Sequence, residues 1–300
     1  MNRTEFYTRA DPGFFVGGLE AINAYNNYYM HRKKQYEFKI DKQYDKYVMD
    51  LNNLGYSKIE NFFNLNKLDK FKQEVFQIFK NSSRETTSQI TRLVHNGDHE
   101  QIIEPYLNTE HALQLATDKR IVNIASSFFN CLPALGGCNL RRSFVTDKPP
   151  SGVNMFHRDF NSPVKFIKFF IYLNDVDIDN GPFTYVEGSN KVMPANPHWS
   201  QYHRWSDDKI EKFYGKNNIK YLTANYGDLL IATTNGFHKG LKIKKGERTM
   251  FTINYLIHPP VPGGPSANFK NARNAFEISH EKVNQLPEWK KPLTDFLIKV

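Results

Sequence analysis

The sequence predicts a mainly β protein with flanking helices, an antiparallel sandwich or barrel. The long helical periodicities all lie before Phe129, whereas after Gly136 short β-rich runs alternate with Gly, Pro, Asp and Asn. Neither a Walker loop nor a Gly-rich dinucleotide fingerprint follows any of these runs. Helices that precede strands, rather than alternating with them, exclude a doubly wound sheet. A chain of 300 residues is within the size of one elaborated barrel, and it carries no internal repeat.

In chain order, residues 1–50 lack a clean period and read as an N-terminal arm packed on a domain spanning 51–300. Leu65, Leu68, Phe71, Val75, Ile78 and Phe79 recur at helical spacing and mark an amphipathic helix. Thr109 can cap a second helical region that starts at Glu110 and runs to about Phe129, as one helix or two. Strands are expected at about 139–146, 153–159, 164–173, 183–187, 219–223, 228–233 and 248–257. A long insertion, Met193 to Tyr221, contains a helix at Asp207 to Tyr214. Long loops over a barrel mouth often bind ligand, so this one is a candidate lid.

Composition narrows the class of function. The excess of 40 basic over 31 acidic residues favours anionic partners, yet no nucleic-acid module accompanies it. Part of it clusters at Arg32, Lys33, Lys34 and Lys39, read as a solvated face. No apolar run is long enough to span a bilayer and no signal peptide is evident, so the expected location is cytoplasmic. Cys131 and Cys138 lack the partners of a zinc site and are expected to be reduced packing residues. The oligomeric state is not legible.

Chemistry concentrates at His157-Arg158-Asp159. On a strand, positions i and i+2 share a face, so the imidazole of His157 and the carboxylate of Asp159 can reach one metal while Arg158 points away. A third ligand would complete the two-histidine, one-carboxylate set that holds non-haem Fe(II). His238 is the candidate, just beyond the strand Leu229-Leu230-Ile231-Ala232 and between Gly236 and Gly240, which suggest tight backbone. Ten residues later Arg248 opens a strand; an inward arginine among apolar neighbours needs an anion, and its planar fork suits a carboxylate. The remaining histidines, His99 and His111 among them, show no ligand-like partners.

These residues, in this order, resemble the phytanoyl-CoA dioxygenase (PhyH) family of Fe(II)/2-oxoglutarate-dependent oxygenases. The likeness covers roughly residues 54–257 and includes Leu54-Gly55-Tyr56, Asn180-Gly181-Pro182 through Lys191, and Tyr226-Gly227-Asp228. Asn190 stands where relatives usually carry a histidine that is not an iron ligand. The resemblance implies a double-stranded β-helix, a cupin-like jelly-roll barrel. It implies that His157, Asp159 and His238 bind Fe(II), that Arg248 grips the distal carboxylate of 2-oxoglutarate, and that Lys168 and Phe144 line the cosubstrate pocket. Arg142, His203 and Trp205 become candidate substrate-binding residues.

The implied reaction uses 2-oxoglutarate and O2 as cosubstrates, releases succinate and CO2, and hydroxylates an unactivated carbon. Because Asp159 fills the position that related halogenases leave to a small residue, chloride finds no site and hydroxylation is the expected outcome. The substrate is expected to be a small or carrier-linked molecule of anionic character. Two other readings stay open: a non-catalytic jelly roll that binds a carbohydrate or protein partner, and a metal-dependent cupin-like isomerase or hydrolase.

Overall fold

The computed structural model describes residues 18–36, 38–39, 41–81, 93–96, 98–159, 167–191, 204–257, 278–295 and 297. Helices α1 (Gly18–Gln35) and α2 (Asp45–Asn53) lead into strand β1 (Tyr56–Ile59) and helix α3 (Leu65–Asn81). After β2 (Leu93–Asn96) and β3 (His99–Ile103) come α4 (Glu110–Ala116), α5 (Lys119–Phe129) and the long β4 (Ala134–Phe144). Then follow β5 (Ile167–Tyr172), β6 (Phe183–Val186), α6 (Asp207–Tyr214), β7 (Ile219–Leu222), β8 (Leu229–Ala232), β9 (His238–Gly240), β10 (Glu247–Leu256) and α7 (His280–Asn284).

Every strand pair is antiparallel. One sheet has seven strands in the order β1-β8-β5-β10-β4-β3-β2, the other three in the order β7-β6-β9. Phe170, Tyr172 and Leu230 of the large sheet share a buried cluster with Phe183 and Tyr185 of the small one, so the two sheets face each other. This is a double-stranded β-helix with helices on the outer face of the large sheet.

Strand alternation explains both layers. Along β10, Thr249, Phe251, Ile253 and Tyr255 are fully buried, and the last three join the core beneath the helices. Arg248, Met250, Thr252 and Asn254 occupy the opposite, inner face, where Met250 packs with the inter-sheet cluster. On β5, Ile167, Phe169 and Ile171 face the helices while Lys168, Phe170 and Tyr172 face inward. Such strands are buried on both sides, which is why they read as nearly unbroken apolar runs.

The helices follow their sequence signals closely. Leu68, Phe71, Val75 and Phe79 form the buried stripe of α3. Thr109 caps α4 by accepting from Ala112 N at 3.3 Å, and Asp118 caps α5 by accepting from Arg120 N at 2.9 Å. The second cap splits the region into two helices. The strand expected at 153–159 is much reduced: Gly152–Asn154 form a 3-10 turn and only Phe156 and His157 pair in bridges.

Arg32 corrects the expectation of a solvated basic face. It is buried, and its guanidinium donates to the carbonyls of Leu132 (2.6 Å), Pro133 (2.9 Å) and Pro292 (2.8 Å) and pairs with Asp295 at 2.9 Å. The arm is thereby clasped to the start of β4 and to the C-terminal segment. Cys131 and Cys138 are buried and outside any disulfide. Among the described residues no helix is long and apolar enough to cross a membrane.

Candidate active site

His157 and His238 come from neighbouring rows of the small sheet. Their backbones exchange two hydrogen bonds, His157 N to His238 O at 3.0 Å and His238 N to His157 O at 2.9 Å. Residues opposed in an antiparallel pair share a face, and the two rings lie with centroids 4.3 Å apart. Two residues on, Asp159 returns to that face, its amide held by the carbonyl of Thr234 at 2.7 Å. Its carboxylate stands 3.3 Å from Nε2 of His238 and 3.8 Å from Nε2 of His157. One ligand atom from each of the three residues lies within 4.8 Å of the others.

The second nitrogen of each ring is already engaged. Nδ1 of His157 donates to Met155 O at 2.8 Å, and Nδ1 of His238 donates to Gly236 O at 2.9 Å. Both Nε2 lone pairs therefore turn toward the shared face, the tautomer a metal ligand requires. Burial, with the neighbouring His238 charge adding to it, lowers His157 to about 3, so its imidazole is neutral. Burial pushes Asp159 up, but Lys168 first and then the two histidines override it and hold the carboxyl well below its usual range. Two imidazoles with their Nε2 atoms turned to one face and an ionised carboxylate beside them suit a divalent first-row metal.

Arg248 sits on the inner face of β10, 4% exposed, and its Nη1 has no hydrogen-bond partner. Burial lowers its pKa, opposed by Tyr172. A desolvated guanidinium with an unsatisfied donor is costly unless an anion meets it. Gly240 makes room for it: a Cβ there would lie 2.8 Å from Nη2 of Arg248 and 3.3 Å from Oδ1 of Asn154. Lys168, inward on β5, places Nζ 2.7 Å from Asp159 Oδ2. Arg158 turns outward, donating to Asn235 O and lying over the ring of Phe237.

Other predicted site residues stand elsewhere. Arg142 is on the helix side of β4, over the rings of Phe76 and Phe79, with two hydrogen bonds to Glu247 at 2.9 and 2.7 Å. Its neighbour Arg141 shares with Arg248 and Ser143 a small inner cleft that Phe144 borders. Burial lowers Arg141 to about 10, with Asp98 opposing and Arg248 adding to the shift. The ring of Phe144 lies 5.1 Å from the Arg142 guanidinium. Trp205 packs on Phe237 at 6.0 Å, in the small core between α6 and the outer face of the three-stranded sheet. His203 lies outside the described residues. His99 and His111 do have partners, Asp98 at 2.7 Å and Glu74 at 2.6 Å. Neither pair gathers a third ligand; among the described residues only His157, Asp159 and His238 do.

Arg142→Ala is expected to lower stability by about 1–3 kcal/mol, because Glu247 loses its charged partner, while 2-oxoglutarate turnover is kept. Thermal denaturation and succinate release check this; lost turnover at full stability would move Arg142 into the site.

Gly236 supports His238 from behind. Its carbonyl takes the Nδ1 proton, and a Cβ at this position would run into the hydroxyl of Tyr185 and lie 2.8 Å from Ser189 Oγ. Tyr185 donates to Thr233 O at 2.9 Å, and Phe237 N donates to Ser189 Oγ at 2.7 Å, so both neighbours are fixed. Gly236→Ala is expected to displace this carbonyl and weaken metal binding by roughly 10–100-fold, the usual cost of losing a ligand's supporting partner. A calorimetric titration with Co(II) at wild-type affinity would contradict it.

Two imidazoles and one carboxylate on the wall of a jelly roll, with a buried guanidinium on the inner face of the facing sheet, define the site type of non-haem iron oxygenases. The chain belongs to the phytanoyl-CoA dioxygenase (PhyH) family, whose model matches residues 51–250. Among curated proteins none matches the chain significantly. Similar solved structures include the carbocyclase SnoK from nogalamycin biosynthesis, at 13% identity and TM-score 0.57, over 75% of this chain and 89% of that one. The epimerase SnoN in complex with Fe3+, alpha ketoglutarate and nogalamycin RO is similar at 14% identity and TM-score 0.56, over 71% and 83%. HygX from Streptomyces hygroscopicus, with nickel and 2-oxoglutarate bound, is similar at 15% identity and TM-score 0.50, over 70% and 85%. At such identities the likeness concerns the fold.

Proposed function

We propose that this chain is an Fe(II)/2-oxoglutarate-dependent oxygenase that hydroxylates an unactivated carbon of a small-molecule or carrier-linked substrate. The observation that carries the reading is the pairing of a preformed His157–Asp159–His238 face with the unsatisfied buried donor of Arg248. A binding module needs neither, and a cupin-like isomerase or hydrolase has no use for the guanidinium.

His157, Asp159 and His238 would hold iron on one side and leave the opposite side open. Arg248 would take the distal carboxylate of 2-oxoglutarate, satisfying the donor that is orphaned without it. Lys168, whose Nζ lies 2.7 Å from Asp159 Oδ2, would meet the cosubstrate's other end. Iron with 2-oxoglutarate supplies the activation of O2, and the balanced reaction turns substrate C–H, O2 and 2-oxoglutarate into C–OH, succinate and CO2. The apolar walls of Phe170, Tyr172 and Phe183 keep bulk water from the inner side of the site.

The test is anaerobic loading with Fe(II), then O2-dependent release of succinate from 2-oxoglutarate, with and without candidate metabolites. A product heavier by one oxygen is expected. Unchanged product mass would indicate epimerisation, loss of two hydrogens cyclisation or desaturation, and no succinate at all would remove 2-oxoglutarate from the reaction.

A further inference from the structure

The inner face of the large sheet carries polar side chains that the site described above does not use. On β10, Thr252 and Asn254 point inward, between Phe251, Ile253 and Tyr255 of the core beneath the helices. Thr252 stands opposite Phe170 on one side and Asn139 on the other, and Asn254 opposite Lys168 and Gly137. Asn139 is inward on β4 because its neighbours Cys138 and Leu140 join the helix-side core. Gln101 is inward on β3, since it pairs with Arg141 while Ile102 joins that core. Asn254, Thr252, Asn139 and Gln101 thus step diagonally across three adjacent strands, starting beside Lys168, whose Nζ contacts Asp159. All four are partly exposed. Among the described residues none of their side chains has a hydrogen-bond partner, and Oδ1 of Asn254 is buried without one.

The charged groups of this face are engaged at either end of the step. Lys168 is paired with Asp159. Arg141 leans the other way along β4, its Nε 3.4 Å from Ser143 Oγ, into the cleft that Asp98 and Arg248 share. Between them the wall is neutral, and its chemistry selects a ligand. An orphaned amide oxygen needs a hydrogen-bond donor, and leaving it dry costs about 1–3 kcal/mol. An acyl chain supplies no donor, and a carboxylate brings only acceptors. A hydroxyl on a saturated carbon donates and accepts at one rotatable atom. A run of hydroxyls therefore answers three amides and a threonine spread over three strands. Resting on the reading above, we infer that this wall binds an uncharged, polyhydroxylated part of the primary substrate, a sugar or cyclitol ring, and holds it beside the metal face.

The test uses the full chain with 2-oxoglutarate and Zn(II), a redox-inert stand-in for iron. Saturation-transfer NMR titrations read the binding of D-glucose, D-galactose, D-mannose and myo-inositol, with methyl octanoate and acetate as apolar and anionic controls. Wild type is expected to bind at least one polyol saturably and more tightly than either control. Asn254→Leu is expected to weaken that polyol by ~5-fold, and Asn254→Leu with Thr252→Val by ~30-fold. Thermal denaturation is the second readout: both variants, free of ligand, are expected to melt at or above wild type, because an unsatisfied buried acceptor is removed. No polyol binding by wild type, tighter binding of a control, or unchanged polyol binding by the double variant overturns the inference. Should the double variant fail to fold, Thr252→Val alone, which keeps the side-chain shape, decides, and wild-type polyol affinity in it overturns the inference. Loss of 2-oxoglutarate in step with the polyol also overturns it, by assigning the wall to the cosubstrate. The charge-transfer absorption of anaerobic wild type with Fe(II) and 2-oxoglutarate is recorded separately. Its absence overturns the iron and 2-oxoglutarate reading itself, whereas the NMR titrations report on the wall alone.

Discussion

Asp159→Ala is expected to abolish 2-oxoglutarate turnover and to lower iron affinity by about 100-fold or more, since it removes the only anionic ligand of the set. Two effects are combined in this variant. The ligand is lost, and the Lys168 ammonium, 2.7 Å from the carboxylate and largely buried, is left without its counter-charge. An unpaired buried donor costs about 1–3 kcal/mol, so the metal-free variant is also expected to melt below wild type. Asp159→Ala combined with Lys168→Met separates the two: stability returns while iron binding does not. Asp159→Asn keeps the shape and an acceptor for Lys168 but loses the charge, and should bind iron poorly in a nearly intact fold. The measurements are calorimetric titration with Fe(II) under anaerobic conditions and thermal denaturation of the metal-free proteins. Wild-type iron affinity in any of the three would take Asp159 out of the metal site.

How much of this was legible in the sequence follows from what a strand conceals. His157 and Asp159 could be paired because a two-residue period places them on one face whichever face it is, and His238 and Arg248 because each stands alone in a telling context. The phase of a strand relative to the interior is another matter. Arg142 and Trp205 were expected at the substrate, and in both cases the adjacent residue, Arg141 or Arg204, is the one on the inner face. Phase is set by partners distant in sequence: β4 by its register with β10, the Trp205 segment by a single bridge to Phe156. A one-residue error there exchanges inside for outside. Helices were easier, since Leu68, Phe71, Val75 and Phe79 name their own buried face. The role of Arg32 was hidden for the same reason as the strand phases, because Leu132, Pro292 and Asp295 are more than 90 positions away.

Arg248 gives the opposite sign of effect on stability and on ligand binding, which makes its replacement the sharper test. The guanidinium is buried, its Nη1 has no hydrogen-bond partner, and Nη2 lies where a side chain at position 240 would stand. Replacing a buried, poorly paired charge by an apolar side chain of similar length is often neutral or stabilising by about 1–4 kcal/mol. Arg248→Leu is therefore expected to melt at or above wild type without ligands. On the proposed reading the same change would remove the partner of the cosubstrate's distal carboxylate, and truncating one side of a buried charge pair costs about 2–5 kcal/mol. The 2-oxoglutarate concentration for half-maximal succinate release is then expected to rise by roughly 30-fold or more, while Fe(II) binding, set by three residues on the other sheet, stays at its wild-type value. Arg248→Lys keeps the charge, loses the fork and should fall between. Thermal denaturation with and without 2-oxoglutarate reads both halves at once: the ligand raises the wild-type transition and leaves that of Arg248→Leu nearly unmoved. A variant that melts low, or that loses iron and 2-oxoglutarate in equal measure, would mean that Arg248 holds the barrel together and that the cosubstrate's carboxylate is gripped elsewhere.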